Sequence, residues 1–155
     1  MARKYKKELP RGEYLEDSIQ FPVRFQEVDS LQVVWHGHYY SYFEVGRTSL
    51  GRKYGIHYKD IKEAGLSAPI VETSCYHIAP LHFGDEVLVV TRLFKRDVPK
   101  LEFSYEVFQA QEKKLCALGK SVQVFLDTDH QLLLDLPLFM KEFYIRWRDH
   151  MVHET

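Results

Sequence analysis

Asp29, His36 and His38 stand close together in the stretch EVDSLQVVWHGHYYSYFEVGR, residues 27–47. A carboxylate and two imidazoles at this spacing suit acid–base or nucleophilic chemistry: histidine exchanges protons near neutral pH, and a carboxylate can attack a carbonyl or deprotonate water. The stretch reads as a strand end, a polar loop and then a helix start. Asp29 would therefore face helical N–H groups able to stabilise a developing oxyanion. The same aspartate also suits a plain turn cap, and His38 an ordinary residue at a helix start. His36 and His38 form an H-x-H pair, but two ligands do not make a metal site, and Glu27 and Asp29 would have to join them. No metal is expected. Glu44 and Arg47, three apart on the helix, face the same side and can form an ion pair. Glu44 stays a reserve catalytic carboxylate, since a buried acid on such a helix is expensive unless it is paired or used.

The elements that must hold these groups follow from hydrophobic period. Phe21, Val23 and Phe25 alternate with polar residues and predict a first strand over 19–28. Tyr39, Phe43, Gly46, Leu50 and Tyr54 recur at helical spacing, and Gly55 stops the run. Gly46, with Ser49 beside it, lets that helix lie close to its neighbour. HYKDIKEAG adds a short helical turn. The period then changes to two over 70–79, 86–95, 101–110 and 115–127, with short links, which predicts four strands in an antiparallel meander. Leu136, Met140, Phe143, Trp147 and Met151 predict a C-terminal helix over 137–151, with Pro137 tolerated in its first turn. One long helix needs a curved sheet to cover it, so the fold class is α+β. Exposed sheet edges are commonly hidden by pairing with a second subunit, which predicts at least a homodimer.

The chain has 155 residues, enough for one domain with a sizeable core. The expected organisation is a mobile basic arm over 1–17 and a single domain over 18–155. A formal net charge of −1 argues against a dedicated nucleic-acid binder. Cys75 and Cys116 make no C-x-x-C pair and are expected in strand cores of a reduced, cytoplasmic protein. No apolar run is long enough to span a bilayer, and the basic first residues lack the apolar stretch of a secretory signal. A G-x-S-x-G elbow, a phosphate-binding glycine loop and a dinucleotide fingerprint are all absent, which disfavours elbow-type serine hydrolases, NTPases and Rossmann enzymes.

The same stretch resembles the active-site segment of hotdog-fold acyl-CoA thioesterases of the 4-hydroxybenzoyl-CoA thioesterase group. Glu27, Asp29, Val33, Val34, Trp35, His36 and Tyr39 fall on the places of that pattern. YHIAPLHFGDEVLV is similar to the family's second-strand ending and turn, with Pro80, Gly84 and Asp85 in register. With the element order, the resemblance covers residues 19–130.

It implies a hotdog fold, in which a five-stranded antiparallel sheet wraps a long helix, with the C-terminal helix as an addition. It further implies subunits joined through their sheets as a homodimer or homotetramer, and an active site at the subunit interface. Asp29 would be nucleophile or water-activating base. Backbone N–H groups of Gly37, His38 and Tyr39 would receive the thioester carbonyl, and His36 would help orient it. The substrate would be an acyl thioester of coenzyme A or of an acyl-carrier protein, with no cofactor. Lys95, Arg96 and Lys100 would meet the phosphates of coenzyme A, helped by Arg52 and Lys53, although by themselves these residues suit a solvated hairpin tip better. Tyr40, Phe43 and strand residues would line the acyl pocket. Thioester chemistry fits one carboxylate plus a helix N-terminus, because the thiolate leaves readily. Two positions depart from the pattern. Gln32 stands where many relatives have glycine, so the loop is expected to take another path, and Phe25 replaces a hydroxyl-bearing aromatic. A hotdog dehydratase acting on a hydroxyacyl thioester and a non-catalytic acyl-thioester-binding dimer are the alternatives.

Overall fold

In the computed structural model, which describes residues 9–153, the long helix expected from spacing is α1, His38–Tyr54. Tyr39, Phe43, Gly46, Leu50 and Tyr54 are all buried on it. Gly55 ends it at a φ of 74°, a left-handed conformation that costs glycine no Cβ clash. Five strands surround it: β1 (Tyr14–Pro22), β2 (Ile70–His77), β3 (Glu86–Phe94), β4 (Lys100–Gln109) and β5 (Lys114–Val124). All neighbours are antiparallel, in the order β1-β3-β4-β5-β2. The short helix α2 (Tyr58–Glu63) follows α1, and α3 (Leu138–His153) closes the chain. This is the α+β hotdog arrangement that the resemblance implied.

Close approach of α1 to the sheet depends on two glycines. A Cβ on Gly46 would lie 2.8 Å from Val89 and collide with Thr91, and one on Gly119 would occupy the Phe43 ring. Phe43 instead stacks on Tyr105, with centroids 4.6 Å apart and planes 10° from parallel. Burial of such a ring contributes roughly 2 kcal/mol. Toward the C-terminal end of α1 the cover is α3, whose Met140, Phe143 and Trp147 are fully buried in one core with Leu15, Leu93 and Leu101.

Three expectations need correction. The first strand is Tyr14–Pro22 and not 19–28, so Tyr14–Asp17 belong to the sheet and not to an arm. Glu16 bonds Arg92 at 2.6 Å and Asp17 accepts from Ser49 at 2.6 Å, while Leu15 is fully buried. Pro22, lacking an N–H, ends the ladder, and Phe25 lies 73% exposed in a 3-10 turn, Phe25–Glu27. The rest of the expected arm, residues 1–8, lies outside the described residues. The meander is also incomplete. β3, β4 and β5 follow one another, but β2 lies beyond β5, so the segment 78–85 crosses the end of the sheet to reach β3. That crossing segment meets the Asp29 loop.

Candidate active site

Asp29 sits in a tight hairpin whose strands meet at the Val28–Val34 bridge. Its amide donates to the Val33 carbonyl at 2.9 Å, and the Gln32 amide donates to its carbonyl at 3.0 Å. Gln32 then takes a φ of 64°, as in a turn closed by a left-handed residue. The backbone thus adopts the conformation that glycine favours although glycine is absent, at a cost borne by the surrounding pairing. Oδ1 of Asp29 accepts from the Leu31 amide at 2.8 Å, so one oxygen does serve as a turn cap. Oδ2 takes no part in that bond. The crossing segment fastens the hairpin: Val33 pairs with His82, and the Val34 amide donates to the Leu81 carbonyl at 2.8 Å.

Glu27 has a structural role. Its Oε1 accepts from the Arg24 amide at 2.7 Å and from the Tyr42 hydroxyl at 3.1 Å, while its carbonyl accepts from the Trp35 amide at 2.9 Å. These bonds tie the 3-10 turn to both α1 and the chain entering it. Burial, and then Glu27, push the Tyr42 phenol up. With Glu27 so engaged, the arrangement needed for a metal at His36 and His38 does not form, and among the described residues no group of three metal-binding side chains occurs.

The head of α1 has no side-chain cap. Gly37 precedes the helix, and a Cβ there would run into the Trp35 ring. The His38 amide donates to the Trp35 carbonyl at 2.9 Å. The first-turn amide of Tyr39 has no helical carbonyl ahead of it. Trp35 lies between the imidazoles, 4.9 Å from His36 and 5.5 Å from His38. Beside this turn is a cavity of about 270 Å³ lined by Val34, His36, Tyr39, His77, Ala79 and Pro80. Burial holds Tyr39 as a neutral phenol, pushed up to about 12. His77, at the end of β2, escaped the sequence reading because a lone histidine in a strand carries no motif; only its placement opposite His36 singles it out. Asp29 does not line this cavity, but Val34, which does, also closes the hairpin that carries Asp29.

The remaining candidates are dispersed. Glu44 pairs with Arg47 at 3.3 Å, and its side chain is 66% exposed, so it is not a buried acid. The Glu44–Arg47 pair borders, with Tyr40, Phe43, Tyr105 and Ser121, a separate cavity of about 210 Å³. Lys95, Arg96 and Lys100 lie at the far end of β3 from the hairpin, and nine strand residues span roughly 25–30 Å. Arg96 bonds Glu102 at 2.7 Å, Lys100 lies 3.6 Å from the same acid, and the Lys95 ammonium lies over the Tyr144 ring. Burial opposes ionisation of Glu102, but its bond to Arg96 wins and sets it below the usual range. Within one subunit these cations therefore do not border the head of α1. Cys116 is buried in β5 and Cys75 half-buried in β2, and burial pushes the Cys75 thiol up to about 12 and raises Cys116 as well.

The family description "Thioesterase-like superfamily" matches residues 23–144. YneP of Bacillus subtilis, which carries the name of an acyl-CoA thioesterase, is 30% identical over 89 residues, 57% of this chain and 64% of that protein. This match thus spans a little under two thirds of the relative's length. A hypothetical protein from Thermus thermophilus is similar in structure with a TM-score of 0.72 at 28% identity, over 84% of this chain and 93% of the other. A 1,4-dihydroxy-2-naphthoyl-CoA thioesterase from Synechocystis aligns with a TM-score of 0.74 at 20% identity, over 83% of this chain and 94% of the other. At that identity it speaks to the fold alone.

Proposed function

We propose that this chain, which belongs to the thioesterase-like superfamily, hydrolyses the thioester of an acyl-coenzyme A to a free acid and a thiol. One observation carries the proposal: the hairpin bearing Asp29 runs through Val34 and Trp35 directly into an uncapped helix N-terminus beside a cavity. A carboxylate and an oxyanion-stabilising helix end are thus set by one continuous stretch of backbone.

Asp29 attacks the carbonyl carbon through Oδ2, or takes a proton from the water that does so. Negative charge moves to the carbonyl oxygen, which receives hydrogen bonds from first-turn amides of α1 and is favoured by the positive end of the helix dipole. Because the His38 amide already has the Trp35 carbonyl, the Gly37 and Tyr39 amides are the donors assigned to this task. His36 orients the carbonyl. The thiolate then leaves and takes up a proton to become the thiol; where Asp29 is the nucleophile, water next cleaves the acyl–Asp29 anhydride to the free acid and restores the carboxylate. The cavity bordered by Tyr40 and Phe43 takes the acyl group.

The functional unit is proposed to be a dimer joined along β2. That strand is bonded on one side only, and Ile70 and Val71 are 42% and 60% exposed, which is an open edge suited to a second copy. A partner would also bring cations from outside the subunit to a phosphate-bearing substrate.

Thiol release from a panel of acyl-CoA thioesters, aliphatic and aryl, is the direct test, with wild type and Asp29→Asn side by side. Turnover by the wild type that the variant lacks is the expected result. An enoyl product without thiol from a hydroxyacyl thioester would replace hydrolysis by dehydration. Silence with coenzyme A and with acyl-carrier-protein thioesters would leave a binding role.

A further inference from the structure

A cavity of about 420 Å³ lies between the C-terminal half of α1, α2 and strands β4 and β5, and the scheme above has no use for it. Ile56, Ile61, Leu66, Leu101 and Phe103 give it apolar walls. Arg47 and Lys62 add two cations, while no carboxylate lines it. A space of this size with apolar walls and a few placed polar groups has the character of a small-molecule site. It is remote from the proposed chemistry, because the seventeen residues of α1 rise about 25 Å from the head of the helix to its end.

His57 is part of this wall and is only 8% exposed. Its Nδ1 accepts from the Lys59 amide at 3.3 Å and its own amide donates to Asp60 Oδ2 at 2.9 Å, so the ring is held by the short helix that it caps. An accepting Nδ1 places the ring proton on Nε2. That nitrogen is buried and has no hydrogen-bond partner. A buried donor without an acceptor is unfavourable, and a ligand that brings one removes the penalty. Gln123, also in the wall, already donates to the Ala68 carbonyl at 2.6 Å, which leaves His57 as the buried donor still unmet.

We propose that this cavity is a second binding site, which takes an amphipathic carboxylate: the apolar body lies on the walls, and the carboxylate accepts from His57 Nε2–H within the field of Arg47 and Lys62. Each feature selects one part of the ligand. The apolar walls select the body, two cations without an acid select an anion over a neutral lipid, and the unmet N–H selects an acceptor. Arg47 contributes its charge although one of its N–H groups is taken by Glu44 at 3.3 Å. Nε2 is closed to water, and the Tyr58 ring lies 4.3 Å from the imidazole on a residue that is 66% exposed. Entry of the ligand turns Tyr58 aside. The site does not depend on the hydrolysis reading or on Asp29.

Calorimetric titration and histidine-selective NMR of the full chain, with octanoate, decanoate and octanol as probes, test the site. Both acids should bind saturably and move the His57 imidazole signals, and octanol should bind about 10-fold more weakly. His57→Asn keeps a residue suited to a helix cap but removes the imidazole donor, and should weaken octanoate by about 10-fold. Lys62→Met, at an exposed position of α2, should weaken it by about threefold and carries the test if His57→Asn does not fold. Asp29→Asn should bind both acids as the wild type does. No saturable binding of either acid overturns the proposal, as does octanol binding as tightly as octanoate. Binding that leaves the His57 signals unmoved and the affinity of the His57 and Lys62 variants unchanged overturns it too, and loss of binding in Asp29→Asn would place the acid at the head of α1 instead.

Discussion

Where α3 packs on the C-terminal end of α1 the polar groups are paired, although His57 Nε2, just past that end, is buried without a hydrogen-bond partner. Trp147 donates to Glu13 at 3.1 Å, Arg96 and Lys100 share Glu102, and the Tyr144 hydroxyl donates to the Arg96 carbonyl at 2.7 Å over fully buried Met140 and Phe143. At the N-terminal end, Phe25, Leu31 and Trp35 are 73%, 77% and 48% exposed, the helix has no side-chain cap, and Gln32 holds a left-handed turn. Both ends combine aromatic and charged residues with the same helix. One end is finished by its own side chains and contributes stability, while the other leaves amides, a carboxylate oxygen and imidazoles turned outward, where a substrate or a second subunit can complete them.

The contrast can be broken by mutation. Asp29→Asn should lower kcat for thioester hydrolysis by about 10²–10⁴-fold, the usual contribution of a positioned base or nucleophile. It should leave thermal unfolding nearly unchanged, and a residual rate near wild type would move the chemistry elsewhere. Trp147→Ala should do the reverse. Losing a fully buried indole costs about 3–5 kcal/mol in urea unfolding, with kcat of the folded fraction retained. A large fall in kcat in that variant would show that the two ends are coupled.

The middle of the molecule gives a pH-dependent test. Tyr105, under Phe43 and bonded to Ser121 at 2.7 Å, is pushed up by burial to about 12 from an ordinary 10.0. The unfolded chain loses this proton first as pH rises, so the stability from keeping the phenol neutral is complete below pH 10 and declines between 10 and about 12. Tyr105→Phe should flatten that decline by up to about 1.4 kcal/mol per pH unit in urea titrations. Parallel curves for the two proteins would contradict the assignment. The smallest effect belongs to the hairpin. Gln32→Gly should stabilise by about 0.5–1 kcal/mol, because glycine takes the left-handed conformation without the Cβ clash. A loss of stability would mean that the Gln32 side chain supports the turn.

Much of this was legible before any coordinates. The helical spacing from Tyr39 to Tyr54, the stop at Gly55 and the four later strands rest on local period and turn chemistry, which one segment displays by itself. The Glu44–Arg47 pair was readable for the same reason, since three residues along a helix put two side chains on one face. Asp29 was legible as a candidate, and its double character, half turn cap and half available oxygen, shows why spacing alone left both readings open.

Other features depended on partners distant in sequence. Glu16 and Asp17 became strand residues only because Arg92 and Ser49 wait opposite them. Glu27, a metal-ligand candidate beside two histidines, is occupied by Tyr42 and Arg24. The placement of β2 beyond β5 sends residues 78–85 across the sheet end, which fastens the Asp29 hairpin and brings His77 to His36. Lys95, Arg96 and Lys100 went the other way, to an end of the sheet remote from the hairpin. The sequence by itself determined the elements and the chemical types at the head of α1, because backbone propensity and side-chain period act over a few residues. Only the tertiary structure decided which charges are neutralised and which imidazoles meet, because those energies depend on distances that chain order does not encode.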